Sequence, residues 1–145
     1  MSDKSIVVVA TGVFEVIHPG HILFLEEARK LGDSLVVIVA RDKNVATWKR
    51  KTHIPEEQRR RVVEALKPVD QAILGEEEPD KFYQPILQIK PEIIAIGPNQ
   101  EISIPKVQEK INELGLKTKI VRVNSYWANP LASTRRIIQK IRETK

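Results

Sequence analysis

Residues 6–21 read Ile6-Val-Val-Val-Ala-Thr-Gly-Val-Phe-Glu-Val-Ile-His-Pro-Gly-His21. The stretch opens on a continuous β-branched run of the kind found in strands buried on both faces, so a strand is expected over residues 5–10. Directly after it, Phe24, Leu25, Ala28 and Leu31 recur at helical spacing, with charged residues on the other side and Gly32 ending the pattern. A helix is expected over residues 22–31. The quoted stretch is therefore a strand-to-helix turn, and in an open α/β sheet that junction is where ligands bind.

Working outward, the same alternation continues. Residues 35–40 form a second apolar run closed by the turn formers Arg41-Asp-Lys-Asn44, which completes a βαβ unit. Residues 45–54 show neither period and carry four basic groups, which reads as a loop. Pro55-Glu-Glu57 resembles a helix start, with Val62, Val63 and Leu66 facing inward. Residues 69–74 read as a third strand, 80–89 as a helix interrupted early by Pro85, and 92–96 as a fourth strand ended by Gly97-Pro98. Ile104, Val107, Ile111 and Leu114 make a helical stripe ended by Gly115, and residues 117–123 a fifth strand. After a polar-aromatic loop over 124–130, Ser133-Thr134 can cap a last helix that Ile137, Ile138 and Ile141 would dock on the sheet. Strands and helices alternating in this way predict an α/β fold: a Rossmann-like doubly wound domain with a parallel sheet of about five strands.

Composition sets the outer bounds. The 145 residues suit one domain spanning 1–145, and 41% hydrophobic with 30% charged residues is ordinary for a globular protein. No apolar run approaches the ~20 residues of a membrane helix, and the first residues lack a signal peptide's pattern, so a cytoplasmic protein is expected, with no membrane partner. Zero cysteines exclude disulfides, thiolate metal ligands and a cysteine nucleophile. The net charge of +5 favours anionic partners, and Lys49-Arg-Lys51 and Arg59-Arg-Arg61 concentrate it.

The chemistry gathers in the quoted turn. His18 and His21 flank Pro19-Gly20 at the start of a helix, whose N-terminal N–H groups and dipole favour an anion. Gly20 would let a phosphate approach the backbone, with the imidazoles as donors. The same pair could instead be surface or capping residues, or bind a transition metal. No carboxylate stands at a spacing that completes a ligand set, His53 is the only other histidine, and no residue is assigned to a metal.

Thr11-Gly-Val-Phe-Glu…His18-Pro-Gly-His21, followed late in the chain by Ser133-Thr134-Arg-Arg-Ile137, resembles the nucleotidyltransferase superfamily with its Gly-Thr-Phe-Asp…His-x-Gly-His signature and a Ser-Thr motif opening a late helix. Between the motifs, Val39-Ala-Arg-Asp-Lys-Asn-Val45, Pro55-Glu-Glu-Gln-Arg59 and Lys67-Pro-Val-Asp-Gln-Ala-Ile-Leu-Gly75 resemble the archaeal-type FAD synthases. Glycerol-3-phosphate cytidylyltransferases are the next nearest group. Val13 stands where the signature has a second Thr, and Glu15 where it has Asp.

The resemblance implies transfer of a nucleotidyl group from a nucleoside triphosphate to a phosphomonoester, with release of pyrophosphate. For an FAD synthase the donor is ATP and the acceptor FMN; the alternative is a CTP-dependent cytidylyltransferase acting on glycerol 3-phosphate or a similar alcohol phosphate. The catalytic residues it implies are His18, His21, Arg59 and Lys49. Nucleotide binding would fall to Thr11, Gly12, Val13, Phe14 and Gly20, to Gly97, Asn99 and Gln100 after the fourth strand, and to Ser133 and Thr134. Asp42, Tyr126 and Trp127 would contact the acceptor. A magnesium or other divalent ion is implied with the triphosphate. A homodimer is a superfamily habit that the sequence leaves open. A reading of another class, a non-catalytic module binding nucleotide or nucleic acid through the basic loop, has no recognised nucleic-acid motif behind it, so no nucleic-acid partner is expected.

Overall fold

The computed structural model describes residues 5–47, 51–78, 81, 83–124, 131 and 133–144. Five strands form one sheet in the order β3-β2-β1-β4-β5, and every neighbouring pair is parallel. The strands are β1 (Val7–Gly12), β2 (Ser34–Val39), β3 (Gln71–Leu74), β4 (Ile93–Ile96) and β5 (Lys119–Arg122). The chain begins at the centre, winds out through β2 to β3, then crosses back to β4 and β5. That reversal puts a topological switch point between the carboxyl ends of β1 and β4.

The β-branched runs line both faces of the sheet. Val8 and Ala10 of β1 pack with Leu35, Val37 and Val39, under α1 (Pro19–Arg29), which contributes Phe24, Leu25 and Ala28, and α3 (Glu56–Glu64), which contributes Val63. On the opposite face Val9, Ile38, Ile94 and Ile96 pack with Ile86 of α4 (Gln84–Ile89) and Ile111 of α5 (Ile104–Glu113). Two apolar layers therefore hold a doubly wound α/β sheet. Gly115 ends α5 in the left-handed region, φ 75°, where a side chain would be strained.

Several local expectations shift. Helix α1 begins at Pro19 rather than Ile22, because proline suits the first helical position and His18 supplies the cap. A short α2 (Asp42–Thr47) replaces the start of the expected loop, seated by Val45, which is buried; six residues are too few to show a period. Pro85 lies in the first turn of α4 and so opens that helix instead of interrupting it. On α3 the buried positions are Arg59 and Val63, while Val62 is 46% exposed; an arginine occupies part of the face assigned to valine. The last helix, α6 (Thr134–Glu143), is capped by Ser133 as expected, but no residue of it is buried and Ile141 is 66% exposed. Of its apolar stripe, Ile137 and Ile138 are half-buried and Ile141 faces solvent. Its first residue ties it to the first loop, the Thr134 hydroxyl donating to the Val16 carbonyl at 3.0 Å.

Candidate active site

The turn between β1 and α1 lies at the switch point, and its two imidazoles cap their own helix. The Nδ1 of His18 accepts from the Gly20 N–H at 3.0 Å, and the Nδ1 of His21 accepts from the His18 N–H at 3.2 Å. Together they form a reciprocal capping box built from histidines. An Nδ1 that accepts carries no proton, so each neutral ring has its hydrogen on Nε2. Neither Nε2 has a hydrogen-bond partner among the described residues. The capping and ligand-binding readings of the pair are thus compatible, because they use different nitrogens.

This arrangement corrects one detail. Gly20 does not offer a free N–H to an anion, since His18 has taken it, and the His21 and Ile22 N–H groups both donate to the His18 carbonyl. At the start of α1 the donors that remain are imidazole Nε2–H groups rather than backbone N–H groups. The rings lie 3.9 Å apart between centroids. Burial, and secondarily the neighbouring His18, lower the His21 pKa from 6.5 to about 4, and burial lowers that of His18. Both rings are therefore neutral donors at neutral pH.

Upstream, Phe14 adopts a positive φ of 55° and is buried. Its ring centroid is 5.5 Å from that of His21, and on its other side it lies so close to Gly12 that a Cβ there would meet ring atoms at 2.7 and 2.9 Å. Gly12 is needed for close approach, and Phe14 transmits its position to His21. Both are expected at the nucleotide, and the structure packs them against each other with Phe14 also against His21. Thr11 and Val13 present backbone carbonyls, the first to Gln100 and the second to Arg59.

Arg59 is the largest fully buried side chain among the described residues, 0% exposed. Its Nη1 donates to the Val13 carbonyl at 2.7 Å, its Nε to the Ile54 carbonyl at 2.9 Å and its Nη2 to Asp42 Oδ1 at 2.5 Å. An arginine expected to reach for phosphate is here a buried tie between the first loop, α2 and segment 51–54. In this arrangement it positions other groups. Asp42, expected at the acceptor, is its ion-pair partner, and its second oxygen accepts the Glu56 N–H at 3.2 Å while Glu56 accepts the Asp42 N–H at 2.9 Å. The starts of α2 and α3 therefore cap each other. Arg41 joins them, donating to Glu56 at 2.8 Å and to the Gly75 carbonyl at 2.7 Å. Glu15 is buried as well, and its Oε1 accepts the N–H groups of His53 and Ile54.

Across the switch point, loop 97–102 is bound up in itself. Gln100 Oε1 accepts the Gly97 N–H at 2.6 Å, and its Nε2 donates to the Thr11 carbonyl at 3.0 Å, bridging β4 to β1. Arg122, at the end of β5, donates to the carbonyls of Gly97, Gln100 and Ile102 at 2.8 to 3.2 Å. Asn99 is exposed. Ser133 accepts from the Arg136 N–H at 3.4 Å, which leaves its own hydroxyl proton available, whereas the Thr134 proton is committed to Val16. An open cleft of about 490 Å³ is lined by Ile17, His18, Pro19, Ile22, Leu23 and Glu26. Lys49, Tyr126 and Trp127 lie outside the described residues.

Residues 9–140 match the model of a family described as cytidylyltransferase-like. The chain belongs to the cytidylyltransferase-like family. It is 54% identical over 134 residues to the FAD synthase of Ferroglobus placidus, a match covering 92% of this chain and 86% of that one. It is 50% identical to the FAD synthase of Archaeoglobus fulgidus, covering 92% and 96%. Among solved structures, the lipopolysaccharide core biosynthesis protein of Thermoplasma volcanium superposes with a TM-score of 0.81 at 42% identity, covering 86% of this chain and all of the other.

Of the residues that give this cytidylyltransferase-like chain its motifs, the structure brings His18, His21, Gly12, Phe14, Thr134 and, through Val13, Arg59 to one turn. Glu15, Arg41, Glu56 and Arg122 were not foreseen as site residues. Arg122 had a readable signal, a cation closing a strand whose middle, Ile120-Val121, is apolar. For Glu15 and Glu56 the partners are distant in sequence and no local pattern announces them.

Proposed function

We propose that this chain is an FAD synthase, which transfers AMP from ATP to FMN and releases pyrophosphate. The observation that carries the reading is the pair of capping imidazoles at the switch point, each with an Nε2–H turned away from its own backbone bond, in a chain half identical to FAD synthases along nearly its whole length.

A phosphate oxygen of FMN forms the new bond to the α-phosphorus of ATP as the bond from that phosphorus to the bridging oxygen of pyrophosphate breaks. The attacking monoester has a second pKa of ~6 and is already charged at neutral pH, so no general base is required. What the chain must supply is alignment and donors for the charge that grows on the leaving pyrophosphate. His18 and His21 do this from neutral Nε2–H groups, while each Nδ1 goes on accepting its backbone N–H. The Ser133 hydroxyl adds a donor at the start of α6. The mainly apolar walls beside His18 offer the flavin ring a surface next to the phosphates.

A divalent ion accompanies ATP. The described residues contain no group of three His, Asp or Glu side chains that converge as a ligand set, and an ion held mainly by phosphate oxygens and water fits these residues better than one held in a protein cage. When bound, it neutralises charge on the phosphates. No helix among the described residues is long and apolar enough to cross a membrane.

The test is product formation. The purified protein is incubated with magnesium and each pairing of ATP or CTP with FMN or glycerol 3-phosphate, and dinucleotide and pyrophosphate are measured. FAD with equimolar pyrophosphate from ATP and FMN is expected. Turnover confined to CTP with glycerol 3-phosphate would replace this reading with a cytidylyltransferase.

A further inference from the structure

Glu15 departs from the aspartate of the family's signature, and its surroundings give the longer side chain a task. The residue is buried, 7% exposed, and no basic side chain among the described residues pairs with it. Arg59, which is buried, is committed to Asp42, Val13 and Ile54. Instead Glu15 Oε1 accepts two consecutive backbone N–H groups, those of His53 and Ile54. Burying an acid is costly unless hydrogen bonds replace water, and bonds to a charged acceptor are the strong ones.

The same short segment is gripped twice. Ile54 gives its N–H to Glu15 and its carbonyl to Arg59, and Arg59 returns to the carbonyl of Val13, two residues before Glu15. A closed ring of hydrogen bonds thus links residues 13–15 to residues 53–59. Three residues after Glu15 stands His18, the cap of α1; two residues before His53 stands Lys51, exposed at the end of the basic run.

We propose that Glu15 is a positioning residue for nucleotidyl transfer: it locks segment 51–54 onto the imidazole turn, so that the chain leaving the basic run and the two histidines hold one fixed relation. An apolar residue could fill the same space but could not hold the two amides. The kinetic side of this inference rests on the FAD synthase reading; the structural side does not.

The experiment compares wild type with Glu15→Gln and Glu15→Ala in two assays: amide hydrogen exchange at His53 and Ile54, and steady-state FAD formation with kcat and KM separated. Glu15→Gln keeps an acceptor oxygen and loses the charge, so it should fall between the other two in both assays. In Glu15→Ala, exchange at those two amides should rise at least about tenfold while amides of β1 and β2 keep their protection. Its kcat should fall about 10- to 100-fold, the scale of a misplacement near 1 Å, with both KM values within about threefold of wild type. A kcat within about twofold of wild type overturns the proposal, as does unchanged exchange at His53 and Ile54. If Glu15→Ala does not fold, Glu15→Gln decides: loosened amides with undiminished kcat overturn it. Wild-type protein that makes no FAD refutes the functional reading instead, and the exchange arm still decides whether Glu15 holds the segment.

Discussion

At the carboxyl end of β1, His18 and His21 each give one ring nitrogen to the backbone and keep the other clear of it; at the carboxyl end of β4, Gln100 and Arg122 turn their polar atoms inward on loop 97–102. The two sides face each other across the switch point, yet they are organised in opposite ways. The first has a strained residue, Phe14, and donors in reserve. The second is tied by five side-chain bonds, with no positive φ among its residues. On the proposed function, the reacting groups belong to the β1 side and the β4 side serves as a preformed wall held in place by its own hydrogen bonds.

The largest effect should come from removing a reserved donor. His21→Ala should lower kcat by about 10²- to 10³-fold, the range for losing one transition-state donor, while far-UV circular dichroism stays that of wild type. Turnover at the wild-type rate would break the contrast at its stronger end.

Next comes acid sensitivity of the β1 side. His21 titrates near 4 in the folded chain against 6.5 when unfolded, so between those values the unfolded state binds a proton that the native state does not. Stability contributed by the neutral ring is complete above pH 6.5 and is lost as pH falls toward 4. At pH 5 the loss is at most about 2 kcal/mol, or a few degrees in melting temperature. Thermal melts of wild type and His21→Ala between pH 7 and 5 should therefore converge on acidification. Parallel curves would contradict the burial of a neutral ring.

On the β4 side the expected change is smaller and of another kind. Arg122→Ala frees three carbonyls of loop 97–102 and should raise the KM for ATP about tenfold with kcat within about threefold, because a loosened wall weakens binding in ground and transition states alike. A kcat collapse matching that of His21→Ala would mean that the two sides do not differ in role.

Much of the architecture was legible because its causes are local. The β-branched runs at Ile6–Val9 and Leu35–Val39, the stripe through Ile111 and the stop at Gly115 each carry their own period or breaker, and the strands and helices followed from them. The histidine turn was legible for the same reason: cap, proline and helix start are contiguous. What stayed hidden are contacts between residues far apart in the chain. Glu15 meets His53 38 residues on, Asp42 and Glu56 cap each other's helices 14 apart, and Thr134 reaches Val16 across 118 residues. Arg59 was expected at the phosphates because the resemblance places an arginine there, and nothing local in the sequence announces that it is buried. Its burial comes from three partners that only the folded chain assembles.

The central claim is that the capping histidines are neutral and hold their protons on Nε2 for the triphosphate. Long-range ¹H–¹⁵N correlation spectra of the imidazoles at pH 7, before and after addition of magnesium and a non-hydrolysable ATP analogue, test it directly. Both rings should show the Nε2–H tautomer in the free protein, and both Nε2 resonances should shift on nucleotide binding while Nδ1 keeps its acceptor signature. Nδ1–H tautomers, or rings indifferent to the nucleotide, would contradict the account.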